Sequence, residues 1–98
     1  MNMDAFQQYV KEFCEEKGFN DVSDEERYLF FMSEVGEMSE ELLKLKYAGE
    51  DKQTEIRKAL SHEIFDVIWN AVEIANRLDI NLTQAFKEKM EVNSKRSW

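Results

Sequence analysis

The sequence predicts an all-α fold, an antiparallel four-helix bundle completed by oligomerisation. Three observations predict it. The 98 residues contain no proline and only three glycines, so almost nothing interrupts a helical period. Apolar residues recur at spacings of three and four over four stretches, and the connections between those stretches are short, as antiparallel neighbours require. The chain length suits a single domain, residues 1–98, near the size at which a partner subunit commonly completes the burial.

The first helix is expected over about Met3 to Lys17, with Phe6, Val10, Phe13 and Cys14 on one face and Gly18 as its stop. Ser23 and Glu26 have the spacing of a capping box, which starts a second helix running to about Tyr47. Its core stripe is Phe31, Val35, Met38, Leu42 and Leu45. A third helix is expected from about Gln53 to Leu78, with Ile56, Leu60, Val67, Ala71, Ile74 and Leu78 inward. Asn81 with Gln84 caps a fourth, which carries Leu82, Phe86 and Met90 and frays near Asn93.

Composition excludes several classes of function. No apolar run approaches the ~18 residues of a membrane span. The N-terminus MNMDAFQQYV lacks the regions of a secretory signal, and a lone Cys14 forms no internal disulfide. A reducing cytoplasm is the expected compartment, with Cys14 expected as a small core residue. The net charge of −8 argues against a nucleic-acid polymer as partner, because phosphate binding needs clustered cations. Between Lys87 and Arg96, however, four basic residues face two Glu, a basic island on an acidic chain.

The stretch SEVGEMSEELLKLK, residues 33–46, places Glu34, Glu37 and Glu41 at spacings of three and four beside the core stripe. Positions 34 and 38 differ by only about 40° around a helix, so these carboxylates border the buried seam, whereas Glu40 faces the wetter side. SHEIFDVIW in the third helix repeats the arrangement with Glu63 and Asp66. Like charges at this spacing cost ~0.2–0.5 kcal/mol per pair on an exposed helix, and more where water is partly excluded. One such pair is ordinary solvated surface. Two, each on a long helix beside a core stripe, suggest that a hard divalent ion, Mg²⁺ or Mn²⁺, compensates the charge.

EVGE at 34–37, EIFD at 63–66 and NRLDINLTQAFKEKMEVNSKR at 76–96, in this order, resemble the MazG-like family of all-α nucleoside triphosphate pyrophosphohydrolases. The resemblance covers about Arg27 to Trp98. It implies that Glu34, Glu37, Glu63 and Asp66 hold Mg²⁺, and that Lys89, Asn93 and Arg96 contact the phosphates of the substrate. The implied reaction cleaves an NTP or dNTP between the α and β phosphates, giving the monophosphate and pyrophosphate. It also implies a homodimer or homotetramer. Lys89, Asn93 and Arg96 are spaced four and three, so one face of the fourth helix is expected to present all three.

Many members carry a further Glu directly before the first metal ligand, a candidate for activating the attacking water, where this chain has Ser33. Ser33 is no comparable base. The dCTP pyrophosphatase-like branch also lacks that Glu. The catalytic base then falls to Glu37, to the metal alone, or to Glu41, one turn beyond Glu37. Trp69 and Asn70, one turn past Asp66, are candidates to meet the base or sugar. His62 points about 100° away from Glu63 and is set aside as a ligand. Two further readings stand beside the hydrolase: a nucleotide-binding sensor, because Ser33 replaces a base, and a non-catalytic helical interaction module whose acids solvate a bundle.

Overall fold

The computed structural model describes residues 2–97, and they form four α-helices: α1 Met3–Lys17, α2 Asp24–Tyr47, α3 Glu50–Arg77 and α4 Leu82–Ser94. A 3-10 turn over Phe19–Asp21 joins α1 to α2. No strand occurs among the described residues, and no described helix is long and apolar enough to cross a membrane.

Local chemistry sets the helix ends. Asn2 accepts the Ala5 N–H at 2.8 Å, and Gly18 closes α1 with a φ of 74° that favours glycine. The hydroxyl of Ser23 accepts the Glu26 N–H at 3.2 Å, and Asn81 accepts that of Gln84 at 2.8 Å. Helix α3 begins at Glu50, three residues before the expected Gln53. Glu50 and Asp51 occupy its first turn, where the helix dipole favours negative charge. Gln53 instead donates its side-chain amide to the carbonyls of Leu45 (3.4 Å) and Ala48 (3.2 Å) at the end of α2. The other end of α3 lies at Arg77, so Leu78 falls in the following turn and is 52% exposed, not inward. That turn places Asp79 at a φ of 55°, a left-handed conformation that Asp tolerates better than most residues.

The chain divides into two compact units. The first comprises the residues up to Asp21 with those from Val72 onward. Here α1 packs against α4 and the 3-10 turn, and Val10, Cys14, Val72 and Ala75 are buried. Gln7 is its clasp. Gln7 Nε2 donates to Asn76 Oδ1 (3.0 Å) and the Ile80 carbonyl (2.9 Å), while Gln7 Oε1 accepts the Leu82 N–H at 2.8 Å. Phe13 lies 6.3 Å from Tyr9 and 6.0 Å from Phe19 between ring centres, within the range of packed aromatic pairs. On α4 one of the three expected stripe residues turns inward: Leu82 is half-buried, but Phe86 and Met90 are exposed.

The second unit, Val22–Ala71, is an antiparallel hairpin of α2 and most of α3. Arg27 bonds Asn70 at one end and Gln53 reaches Leu45 and Ala48 at the other, which sets the opposed direction. Leu60 is buried, and Phe31, Val35, Met38 and Leu45 are half-buried as the stripe predicts. Leu42 of the same stripe is exposed, as is Ala71 on α3.

Candidate metal centre

In an antiparallel hairpin, residues whose numbers sum to a near-constant value face one another. The Arg27–Asn70 rung therefore predicts Glu34 opposite the Glu63–Asp66 turn, and the carboxylates do converge. Carboxylate oxygens of Glu34, Glu37 and Glu63 lie within 4.8 Å of one another. Glu34 and Glu63 are half-buried, whereas Glu37 is exposed. One oxygen of Glu34 and one of Glu63, Oε2 in each case, are shut off from solvent with no hydrogen-bond donor.

Electrostatics follow from that geometry. Burial, then the charges of Glu37 and Asp66, push the Glu34 carboxyl above the usual carboxylate range, and Glu63 adds to the effect. Glu63 is raised by burial, by the adjoining Glu37, and by Asp66 and Glu41. Asp66 thus joins the cluster through its field, with an exposed side chain. Glu41 also lies near Glu63, but its carboxylate is paired with Lys44 Nζ at 3.1 Å. Glu40 and His62 are exposed.

Buried acceptors without donors are costly, and a proton, a water or a cation would each offset that cost. An all-carboxylate donor set fits Mg²⁺ or Mn²⁺. The residues present therefore suit such an ion on chemical grounds.

Sequence reasoning missed Arg27. Its side chain is buried, lies 5.1 Å above the Phe30 ring, and donates through Nη2 to Asn70 Oδ1 at 2.6 Å. Asn70 Nδ2 in turn donates to the Asp66 carbonyl at 2.7 Å. A signal was available, since Arg27 precedes Glu34 by seven residues and two turns return to nearly the same face. Asn70 is itself 5% exposed, and its amide bonds are made within the protein. Trp69 beside it is half-buried.

Lys89, Asn93 and Arg96 belong to the first unit. Helix α4 ends at Ser94, where the Lys95 N–H meets the carbonyls of Val92 and Asn93. Arg96 therefore lies past the helix, and the single helical face predicted for the three holds only Lys89 and Asn93. The Arg96 N–H still donates to the Asn93 carbonyl at 3.2 Å, continuing the chain as a turn. Lys89 and Arg96 are exposed, while Asn93 is half-buried with its Oδ1 enclosed and without a donor. Comparison with protein-family models, with curated proteins and with solved structures finds no match to this chain.

Proposed function

We propose that the chain is a Mg²⁺-dependent nucleoside triphosphate pyrophosphohydrolase of the MazG-like type, with Mn²⁺ as an alternative ion. In this reading it is a single-domain four-helix bundle, a homodimer or homotetramer of the cytoplasm, acting on an NTP or dNTP to control a nucleotide pool. Neither a nucleic-acid polymer nor a membrane is its partner. The observation that carries the reading is the convergence of Glu34, Glu37 and Glu63, with two enclosed oxygens that lack donors.

Glu34, Glu37, Glu63 and Asp66 would hold the ion. When bound, the ion supplies positive charge and Lewis acidity toward phosphate oxygens. The residues of the chain do the remainder. Glu37, the exposed member of the trio, takes the proton of a water that adds to the α phosphorus as the bridging P–O bond breaks and pyrophosphate leaves. By the resemblance alone, Lys89, Asn93 and Arg96, which belong to the other unit, are assigned to phosphate oxygens, Arg96 as a two-pronged fork and Asn93 as a neutral donor. Trp69 lies on the same helix as Asp66 and is the aromatic face assigned to the base.

A panel of canonical and modified NTPs and dNTPs with Mg²⁺ or Mn²⁺, assayed separately for pyrophosphate and orthophosphate, tests this. Pyrophosphate with the matching monophosphate is the expected result, and orthophosphate alone overturns it. The sensor reading rests on Ser33 standing where a base would serve, and binding of metal and dNTP without turnover would favour it.

A further inference from the structure

We infer that Arg27 is a positioning residue for the carboxylate cluster, holding α2 and α3 through Asn70 in the one register that sets Glu34 against Glu63, a role that rests on the metal reading proposed above. Arg27 lies seven residues before Glu34 on α2, and Asn70 lies seven residues after Glu63 on α3. Seven residues are about two turns and return to within about 20° of the starting face. In an antiparallel hairpin the two pairs are therefore rungs of a single register, about 10.5 Å apart along the helices.

Apolar packing selects that register weakly. Among the described residues of Val22–Ala71, Leu60 is the one buried apolar side chain, while Phe31, Val35, Met38 and Leu45 are half-buried. A stripe that repeats every three or four residues finds a similar partner after a slide of one turn, a step by which packed helices are able to shift. Such a slide moves Glu34 about 5.4 Å along Glu63's helix, more than the 4.8 Å within which the three carboxylate oxygens gather. Charge favours the slide, because Glu34, Glu37 and Glu63 repel one another at that range.

The Arg27–Asn70 rung opposes it. Arg27 Nη2 donates to Asn70 Oδ1 at 2.6 Å, and Asn70 Nδ2 donates to the Asp66 carbonyl at 2.7 Å. Arg27 is only 9% exposed and Asn70 only 5%, so a slide that broke their bond would strand a charge and an amide away from water. A buried, directional polar pair is the best-attested device by which packed helices fix a register. The guanidinium also lies 5.1 Å above the Phe30 ring, which orients it from its own helix. At its far end the relay meets the backbone of Asp66, the residue that carries the fourth carboxylate.

Mn²⁺ affinity and a metal-free cross-link test the role together, on variants shown by circular dichroism to be folded. Arg27→Met should raise the Mn²⁺ dissociation constant by about tenfold or more, the usual effect of removing a group that holds metal ligands in place. Arg27→Lys, which keeps the charge, should recover part of the loss. Asn70→Leu should match Arg27→Met, and the double variant should lose no more than either, since one relay carries the effect. Gln7→Ala, which weakens the other unit, should leave the constant unchanged. For the cross-link, Glu34→Cys and Glu63→Cys are combined in a Cys14→Ala background, with oxidised glutathione as oxidant and no metal. Adding Arg27→Met should slow formation of the 34–63 disulfide several-fold. An unchanged constant or an unchanged cross-linking rate in Arg27→Met, or an equal loss of affinity in Gln7→Ala, overturns the proposal. A parent that binds no Mn²⁺ while its cross-link still depends on Arg27 would sink the metal reading and leave the register role standing.

Discussion

The Nη2 of buried Arg27 donates to Oδ1 of Asn70 at 2.6 Å, tying α2 to α3 one turn from Asp66. Hydrogen bonds to charged groups contribute ~1.5–3 kcal/mol, and removing one partner leaves the other enclosed without it. Arg27→Met and Asn70→Leu should each lower stability by about that amount. The double variant should lose less than the sum, because the second change removes a group already stranded. Urea unfolding of the four proteins checks the coupling, and strict additivity would show that the two side chains do not depend on each other.

Metal should act through the two carboxylates whose oxygens lack donors. A ligand at a hundred times its Kd adds about 2.7 kcal/mol, which for a chain of this size raises Tm by ~10 °C or more. Mg²⁺ or Mn²⁺ should give such a shift in the unaltered protein and little in Glu34→Gln or Glu63→Gln. Glu40→Gln changes an exposed residue on another face, and should keep the full shift. Equal shifts in all four proteins would remove the assignment of the site.

Proton binding supplies a separate check. Glu34 and Glu63 have folded-state pKa values above the ordinary 4.5, so the folded protein holds these protons more tightly than the unfolded chain. The stability they contribute is complete below that ordinary value and is lost as pH rises through their raised ones. In chelator, Glu34→Gln should therefore match the parent near pH 4 and exceed its Tm at pH 7.5, where the parent suffers carboxylate repulsion. Scanning calorimetry at both pH values reads the difference, and a Tm for Glu34→Gln that falls further below the parent as pH rises would reverse the sign.

Gln7 makes a comparable test of the other unit. Its amide serves three backbone or side-chain partners, Asn76, Ile80 and Leu82, at 2.8–3.0 Å. At ~0.5–1.5 kcal/mol net for each bond, Gln7→Ala should cost about 2–3 kcal/mol in chemical denaturation. Gln7→Glu keeps the acceptor for the Leu82 N–H but loses both donations, so it should recover only a minor part.

Much of the fold was legible because capping chemistry is local. Gly18, Ser23 with Glu26, and Asn81 with Gln84 each mark a helix end from within four residues. The start of α3 at Glu50 was not legible in the same way, since Gln53 was read as the first residue of the helix and turned out to lie within it and to serve the end of α2 as well. Periodicity found which residues share a face but not what covers the face, which is why Phe86 and Met90 are exposed despite their spacing. Helix angles and an antiparallel pair anticipated four carboxylates together, and Glu34, Glu37 and Glu63 converge, whereas Asp66 stands outside that group. The Arg27–Asn70 pairing was not legible: Arg27 shares a face with Glu34 and Asn70 was a candidate for the base or sugar, but their bond joins positions 43 residues apart, and no local pattern encodes that register.

The base can be separated from its neighbour by substitution. Glu37 is exposed and lies among the enclosed oxygens, whereas Glu41 is held by Lys44 at 3.1 Å. An oxygen that already accepts from an ammonium is less available to the proton of a water. At saturating metal, Glu37→Gln should lower kcat by ~10²–10⁴-fold, the usual contribution of a general base. Glu41→Gln should cost less than about tenfold on the same scale, and Ser33→Ala should leave the rate unchanged. The measurement is kcat against pH with metal affinity determined in parallel, so that loss of the ion is not mistaken for loss of the base. A larger loss in Glu41→Gln than in Glu37→Gln would move the role one turn along α2.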